Sequence, residues 1–375
     1  MGGAEVLTVN LAIELAERGH SILIICMREA KNHTLRSCIE KANLPQISVV
    51  MCSTRMRFSF LKGLVSTNAE YENIIRRFDP DVVHSHLFEA EILSRSYIHK
   101  RARYITHVHD NVPQYTRPSW KKNSGKELFI ASAERKWIMK RYAKSSTHFI
   151  SISVDVDNYL HHQLSKTFHG KITHLPNAIR TADFAMPAGM EKHESPLMLV
   201  TTGSLVRKKN HEFLIKVMGI LKSRGIDARL DILGSGPLEG ELREKIDNAL
   251  LSDRIFLRGI VDTVNQYLWK AHIYVHSATY EPLGLALIEA MAAGLPVVCL
   301  DGRGNRDLMQ EGKNGHLLKE PDPHTFAQLL IRIYSDNKIR NEMGRFAMEY
   351  ARNHDIGSYA DRLVEIMACK TANRS

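Results

Sequence analysis

The sequence predicts an α/β protein built from two doubly wound, parallel-sheet domains. Three observations carry that expectation. Short β-branched runs alternate with helical patterns along the whole chain. The strand segments are continuously apolar, as strands buried on both faces are. The length of 375 residues suits two domains of roughly 150 residues each. Apolar residues at 44% and charged residues at 25% exclude disordered and fibrous classes.

The strands expected in the first half are Ser21–Cys26, Ile47–Met51, Asp81–Ser85, Tyr104–Val108, Thr147–Ile152 and Ile172–Leu175. In the second half they are Leu197–Gly203, Arg229–Gly234, Ile255–Arg258, Ile273–Ser277, Pro296–Leu300 and His316–Leu318. The helix Glu212–Arg224 shows the period well, with Phe213, Leu214, Val217, Met218 and Leu221 on one stripe. The Pro-rich segment between Pro176 and Pro196 has no period and marks a boundary near residue 185. The expected domains are 1–180 and 196–352, with 181–195 as a linker. The last segment, 353–375, is expected to be a helical tail packing back on the first domain. Ligands of open α/β sheets bind beyond the carboxyl ends of the strands, so two facing sheets would put donor and acceptor in one cleft. The chain opens with a Gly2-Gly3 turn and enters a helix at once, with Leu7, Leu11 and Leu15 on one stripe. A doubly wound domain calls for a strand before such a turn. Either that strand lies outside this sequence or the first sheet lacks it.

The charge balance, 51 basic against 41 acidic residues, gives +10 and favours anionic partners. The cysteines at 26, 38, 52, 299 and 369 form no C-x-x-C pair, so neither a disulfide framework nor a zinc motif is expected. Together with the lack of a signal-peptide pattern or an apolar span of ~18 residues, this reads as a cytoplasmic protein.

The segment Glu281–Leu300, EPLGLALIEAMAAGLPVVCL, carries the most chemistry. Leu283–Ala293 is expected to be a helix closed by Gly294. Backbone N–H groups near Gly284, Leu285 and Ala286 are then the unpaired donors of the first turn, a site for a pyrophosphate. Glu281 precedes that turn and Glu289 lies inside the helix, eight residues on. At ~1.5 Å rise per residue the two carboxylates can hold hydroxyls at either end of a ligand whose middle is a pyrophosphate.

This stretch resembles the E-x7-E element of retaining glycosyltransferases of family 4, with the GT-B fold. Other segments follow in register: the glycine-rich loop GGAE (2–5), PDVVHSH (80–86), THVHD (106–110), LPNAI (175–179), GSLVRKKN (203–210), LGSGPL (233–238) and NGHLL (314–318). The resemblance implies that Glu281 contacts the donor sugar's hydroxyls and that Leu283, Gly284 and Leu285 cradle phosphate and sugar. It implies that Glu289 binds the ribose and Lys209 the phosphates, that His109 faces the sugar, and that Gly3 lies near the phosphates and acceptor. Gly234 belongs to a second donor loop. Ser204 stands where many members have Arg, with Arg207 able to supply that charge, and Ala178 replaces a glycine. The implied reaction transfers a sugar from a nucleotide-diphosphate donor, UDP above all, to a glycan or lipid-linked acceptor of cell-surface polysaccharide, with no cofactor or metal.

Rival readings attach to the same residues. The pairs His84/His86 and His107/His109, with Asp110, could ligate a metal as in a metallohydrolase, since residues i and i+2 of a strand share a face. The basic, aromatic stretch 117–144 could lie on an anionic membrane at its cytoplasmic face, or pack its rings into the first domain. No recognition motif supports nucleic acid. A non-catalytic nucleotide-sugar binder or degenerate enzyme is the remaining alternative.

Overall fold

The structure, a computed structural model, describes residues 2–27, 39–52, 57–59, 63–65, 68–111, 115–116, 125–190 and 194–368. The chain is α/β with parallel sheets and divides into two compact units, Met1–Pro176 with Ile356–Ser375, and Asn177–Asp355.

The first unit opens with α1 (Gly3–Glu17), where Leu7, Leu11 and Leu15 form the buried stripe. β1 (Ile22–Cys26) pairs in parallel with β2 (Ile47–Met51). β3 (Arg57–Ser59) and β4 (Gly63–Val65) form an antiparallel pair that the sequence did not announce. A four-stranded parallel sheet follows in simple order: β5 (Val82–His86), β6 (Arg103–Val108), β7 (His148–Ser151) and β8 (Ile172–His174). Its helices are α2 (Ala69–Phe78), α3 (Phe88–Ser96), α4 (Gly125–Lys144), α5 (Val154–Gln163) and the single turn α6 (Lys166–His169). Asn68 caps α2 by accepting from the Tyr71 N–H at 3.0 Å, and Asp79 ends it in the left-handed region at φ 47°. The core of this unit holds a fully buried Arg95. Its guanidinium donates to Ser85 Oγ at 2.5 Å and to Ser94 Oγ and Thr106 Oγ1 at 2.7 Å. Beside it the buried Glu91 accepts from Tyr115 at 2.6 Å and from Tyr142.

The second unit holds one six-stranded parallel sheet. Its strands are β9 (Leu197–Thr202), β10 (Ala228–Leu233), β11 (Ile255–Gly259), β12 (Ile273–His276), β13 (Val297–Leu300) and β14 (Gly315–Leu318). Their order, β11-β10-β9-β12-β13-β14, reverses direction between β9 and β12. That reversal is the switch point at which doubly wound sheets take ligands. The helices are α7 (His211–Ser223), α8 (Glu239–Asn248), α9 (Val264–Lys270), α10 (Leu285–Ala292), α11 (Pro323–Ser335) and α12 (Asn337–Ala351). The five apolar residues expected on one face of α7 are all buried, and Phe213 meets Phe326 of α11 edge-on at 5.3 Å. Residues Thr181–Phe184, expected within a linker, form a 3-10 turn fixed to α9 by Trp269 Nε1 donating to the Phe184 carbonyl at 2.8 Å.

The last helix, α13 (Ile356–Ala368), packs on α1 of the first unit. Tyr359, Ala360 and Leu363 are buried, and Arg18 of α1 pairs with Asp361 at 2.5 Å.

Candidate functional site

The switch point of the second unit gathers most of the residues singled out in the sequence. The chain leaves β9 through Gly203 and makes a 3-10 turn at Arg207–Lys209. That turn is stitched to the segment after β12: Ser277 Oγ donates to the Lys209 carbonyl at 2.8 Å, and the Thr279 N–H donates to the Lys208 carbonyl at 2.9 Å. Two loops on either side of the reversal therefore act as one ledge. Across it the Lys209 ammonium pairs directly with Glu281 Oε2.

Glu281 itself is held at both backbone ends. Its N–H donates to the Gly302 carbonyl at 2.7 Å, and its carbonyl accepts from the Gly304 N–H at 3.0 Å. His276 Nε2, from the end of β12, lies 3.3 Å from the same Oε2 that Lys209 reaches. Burial opposes ionisation of this carboxyl, but the adjacent His276 ring and the Lys209 charge outweigh it and hold it at about 2. The carboxylate is thus ionised, oriented and largely enclosed.

Gly284 adopts φ 95°, in the left-handed region that favours glycine. It sets the amino end of α10, so the helix starts at Leu285 rather than at Leu283 as the periodicity suggested. A Cβ on Gly284 would come within 3.2 Å of Glu281 Cγ. At the other end the Gly294 N–H donates to the Met291 carbonyl and the Leu295 N–H to the Ala290 carbonyl, closing the helix as expected. Glu289 lies one turn into α10. Among the described residues its carboxylate has no hydrogen bond or ion pair, and burial pushes it up to about 7. Two glutamates eight residues apart are therefore in opposite electrostatic states. One is a clamped anion, the other an acid poised near neutrality.

Three residues of this site were not legible beforehand. His276 is the last residue of a buried strand. Gly302 and Gly304 come from the loop after β13; a Cβ on Gly304 would sit 1.8 Å from the Pro282 carbonyl oxygen. The one available signal was the G-x-G spacing in DGRGN (301–305). Ser204 and Arg207 are exposed on the same loop as Lys209. Gly234 has φ 137°, and a Cβ there would fall 2.1 Å from the Gly203 carbonyl oxygen, so it lets the two loop backbones touch.

Gly3 and His109 belong to the first unit. Gly3 is the first residue of α1. His109 meets His86, with Nε2 and Nδ1 2.9 Å apart, and stacks on His107 at 4.3 Å between centroids. Burial pushes His109 well down from the usual imidazole range, with His86 adding to it. The ligating nitrogens of His84, His86 and His107 all lie within 4.8 Å of one another. In the basic stretch, 117–124 lies outside the described residues. Of the rings in α4, Phe129 is 60% exposed while Tyr142 is fully buried. Among the described residues no helix is long and apolar enough to cross a membrane.

Comparison with known proteins agrees with this layout. Residues 1–183 match the model of Glycosyltransferase Family 4, and residues 185–350 match that of Glycosyl transferases group 1. The putative glycosyltransferase EpsD of Bacillus subtilis is 27% identical over 192 residues, 49% of this chain and 50% of that protein. A Campylobacter jejuni enzyme is 29% identical over 158 residues, 42% of each chain. Its name is N-acetylgalactosamine-N,N'-diacetylbacillosaminyl-diphospho-undecaprenol 4-alpha-N-acetylgalactosaminyltransferase. The matches thus span half or less of these curated relatives. Among solved structures, HepE of Anabaena in complex with UDP and glucose superposes with a TM-score of 0.75 at 16% identity. That superposition covers 98% of this chain and 96% of HepE. With the two family models meeting end to end over residues 1–350, the chain belongs to the group 1, family 4 glycosyltransferases and has their GT-B fold.

Proposed function

We propose that this chain is a retaining glycosyltransferase that moves a sugar from a UDP-sugar to a glycan or lipid-linked acceptor of cell-surface polysaccharide. The observation that carries it is the Lys209–Glu281 pair at the β9/β12 switch point, set against the amino end of α10. In the reaction the bond from the anomeric carbon to the diphosphate oxygen breaks, a bond to an acceptor hydroxyl oxygen forms, and the hydroxyl's proton leaves with the departing diphosphate. Negative charge grows on the departing diphosphate. Lys209, with Arg207 on the same loop, and the N–H groups at the start of α10 stabilise that charge from fixed positions. Glu281, ionised across the physiological range, accepts from the sugar's hydroxyls and orients the ring. Glu289 accepts from the ribose hydroxyls in its ionised form. Ser204 and the Gly203–Gly234 contact shape the loop under the phosphates, and Leu283 and Leu285 flank Gly284 in the cradle. Gly3 and His109 of the first unit are assigned to the acceptor and sugar side. The names of the relatives support a nucleotide-sugar donor and an acceptor of the lipid-linked or polymer class. Exposed Phe129 on the basic helix α4 supports docking at an anionic membrane face.

The test is release of UDP from UDP-sugars in the presence of extracted lipid-linked glycans. Turnover that is unchanged in both Glu281→Gln and Lys209→Ala would remove the mechanism. Saturable binding of UDP-sugar without turnover on any acceptor would favour a non-catalytic binder. A second reading rests on the nitrogens of His84, His86 and His107, which are spaced closely enough to close on one transition-metal ion. Stoichiometric zinc in purified protein, lost in His84→Ala, would support it.

A further inference from the structure

The Lys209–Glu281 pair and the reaction proposed above ask one ammonium to serve two partners. Among the described residues, the Glu281 carboxylate has two ion-pair partners, Lys209 and His276, and both meet it at Oε2. A diphosphate that draws Lys209 away leaves this carboxylate with His276 alone. An enclosed charge stripped of its partner is strongly unfavourable. The neighbour that stays behind therefore decides whether the move can take place.

The two neighbours differ in what can move. The Lys209 backbone is fixed, its carbonyl accepting from Ser277 Oγ at 2.8 Å. Its ammonium, however, ends a flexible four-carbon stem. That stem passes over the bare backbone of Gly203, where a Cβ would stand 3.4 Å from Lys209 Cε. His276 has no such freedom. It closes β12 opposite Cys299 of β13 and is 2% exposed. Its ring lies 6.2 Å from that of Tyr274, whose hydroxyl is in turn 3.1 Å from Thr202 Oγ1.

His276 Nε2 lies 3.3 Å from Glu281 Oε2, yet it is a buried nitrogen without a hydrogen bond. The carboxylate is turned toward Lys209 instead. A rigid donor thus stands beside an acceptor that a mobile cation now occupies. The other imidazole here, His211, is held at about 4 by burial and by the charges of His276 and Lys209, so it adds no positive charge near neutrality.

We propose that donor binding hands Lys209 over from Glu281 to the diphosphate, and that His276 is the positioning residue that then donates from Nε2 to the Glu281 carboxylate and keeps it aimed at the sugar. The proposal rests on the glycosyl-transfer reading and adds an order of events to it. Without donor, Lys209 and Glu281 hold each other. The diphosphate parts them, so its observed affinity is lowered by the cost of leaving the paired state. Once they are parted, the carboxylate turns to His276 and its second oxygen accepts from the sugar's hydroxyls.

The test is calorimetric titration of UDP, which carries the diphosphate without the sugar, into the full chain and its variants. Glu281→Gln should bind UDP about tenfold more tightly, because Lys209 no longer has to leave a carboxylate. His276→Leu should bind it about tenfold more weakly, the effect of one hydrogen bond to a charged group. His276→Gln, whose amide can donate from a similar position, should stay within about twofold of the parent. In the Glu281→Gln background, His276→Leu should change UDP affinity by less than about twofold. UDP affinity unchanged or weakened by Glu281→Gln would overturn the handover alone. Equal weakening by His276→Leu with and without the Glu281 carboxylate would overturn the positioning role, since the ring would then act through packing. A parent chain that binds no UDP would overturn both this proposal and the reading beneath it.

Discussion

The two units solve the same architectural problem with different degrees of closure. In the second, six parallel strands form one sheet, and the reversal between β9 and β12 builds a ledge on which Lys209, His276 and Glu281 converge. In the first, the parallel strands among the described residues fall into two sheets, and the buried chemistry is a cationic hub, Arg95, among hydroxyls. A closed doubly wound sheet supplies a ligand site at its switch point. A divided one must hold its strands by side-chain networks instead.

The sharpest way to break that comparison is Arg95→Ala. It strips the hub that ties β5, β6 and α3 together and leaves Glu91 buried without its neighbouring charge. Removing one member of a buried ionic cluster costs about 3–5 kcal/mol. The loss should fall on the first unit alone, so thermal unfolding should show one lowered transition beside one unchanged. A shift of both transitions would mean that the units do not unfold independently.

Next in size are Glu281→Gln and Lys209→Ala. Loss of one fixed electrostatic partner should lower UDP release ~10²–10³-fold, about 2.7–4 kcal/mol in the barrier. Circular dichroism checks that both variants remain folded, so that the loss is one of turnover.

Glu289 offers a pH test. Its carboxyl is raised from 4.5 to about 7 by burial, so the folded state holds the proton more tightly than the unfolded one. The resulting stability is fully present below about pH 4.5 and is lost as pH rises through about 7. Glu289→Gln should therefore stabilise the second unit by up to roughly 3 kcal/mol at pH 8 and by little at pH 4. Urea unfolding at the two pH values measures the difference. UDP affinity of the parent chain should rise across the same interval, as the ribose-facing acceptor ionises.

The smallest effect expected is that of Gly234→Ala. A methyl group 2.1 Å from the Gly203 carbonyl forces the two loops apart in a backbone region that alanine rarely adopts. A cost of about 1–3 kcal/mol follows, visible as a lowered melting point with UDP binding weakened in parallel.

Most of the sheet was legible in the sequence, because buried parallel strands are continuous apolar runs. Segments such as Leu197–Thr202 and Val297–Leu300 can be little else. The β3–β4 pair was not legible, since three-residue strands such as Arg57–Ser59 carry no period. At the site, Glu281, Lys209 and Glu289 stood out through motif register. The residues that give Glu281 its charge state did not. His276 reads as one more strand residue, and Gly302 and Gly304 act through contacts between segments some twenty positions apart. The opposite ionisation of the two glutamates is likewise a property of surroundings, which no spacing encodes.

The return of α13 to α1 means that the polypeptide crosses between the units twice, once after Pro176 and once after Asp355. A protease nick at either crossing would leave both halves tethered. For the same reason, a gene fragment cut at the boundary of the amino-terminal family match would strip Tyr359 and Leu363 from the flank of α1. Expressing that half on its own calls for grafting the thirteen residues of the final helix back by a linker.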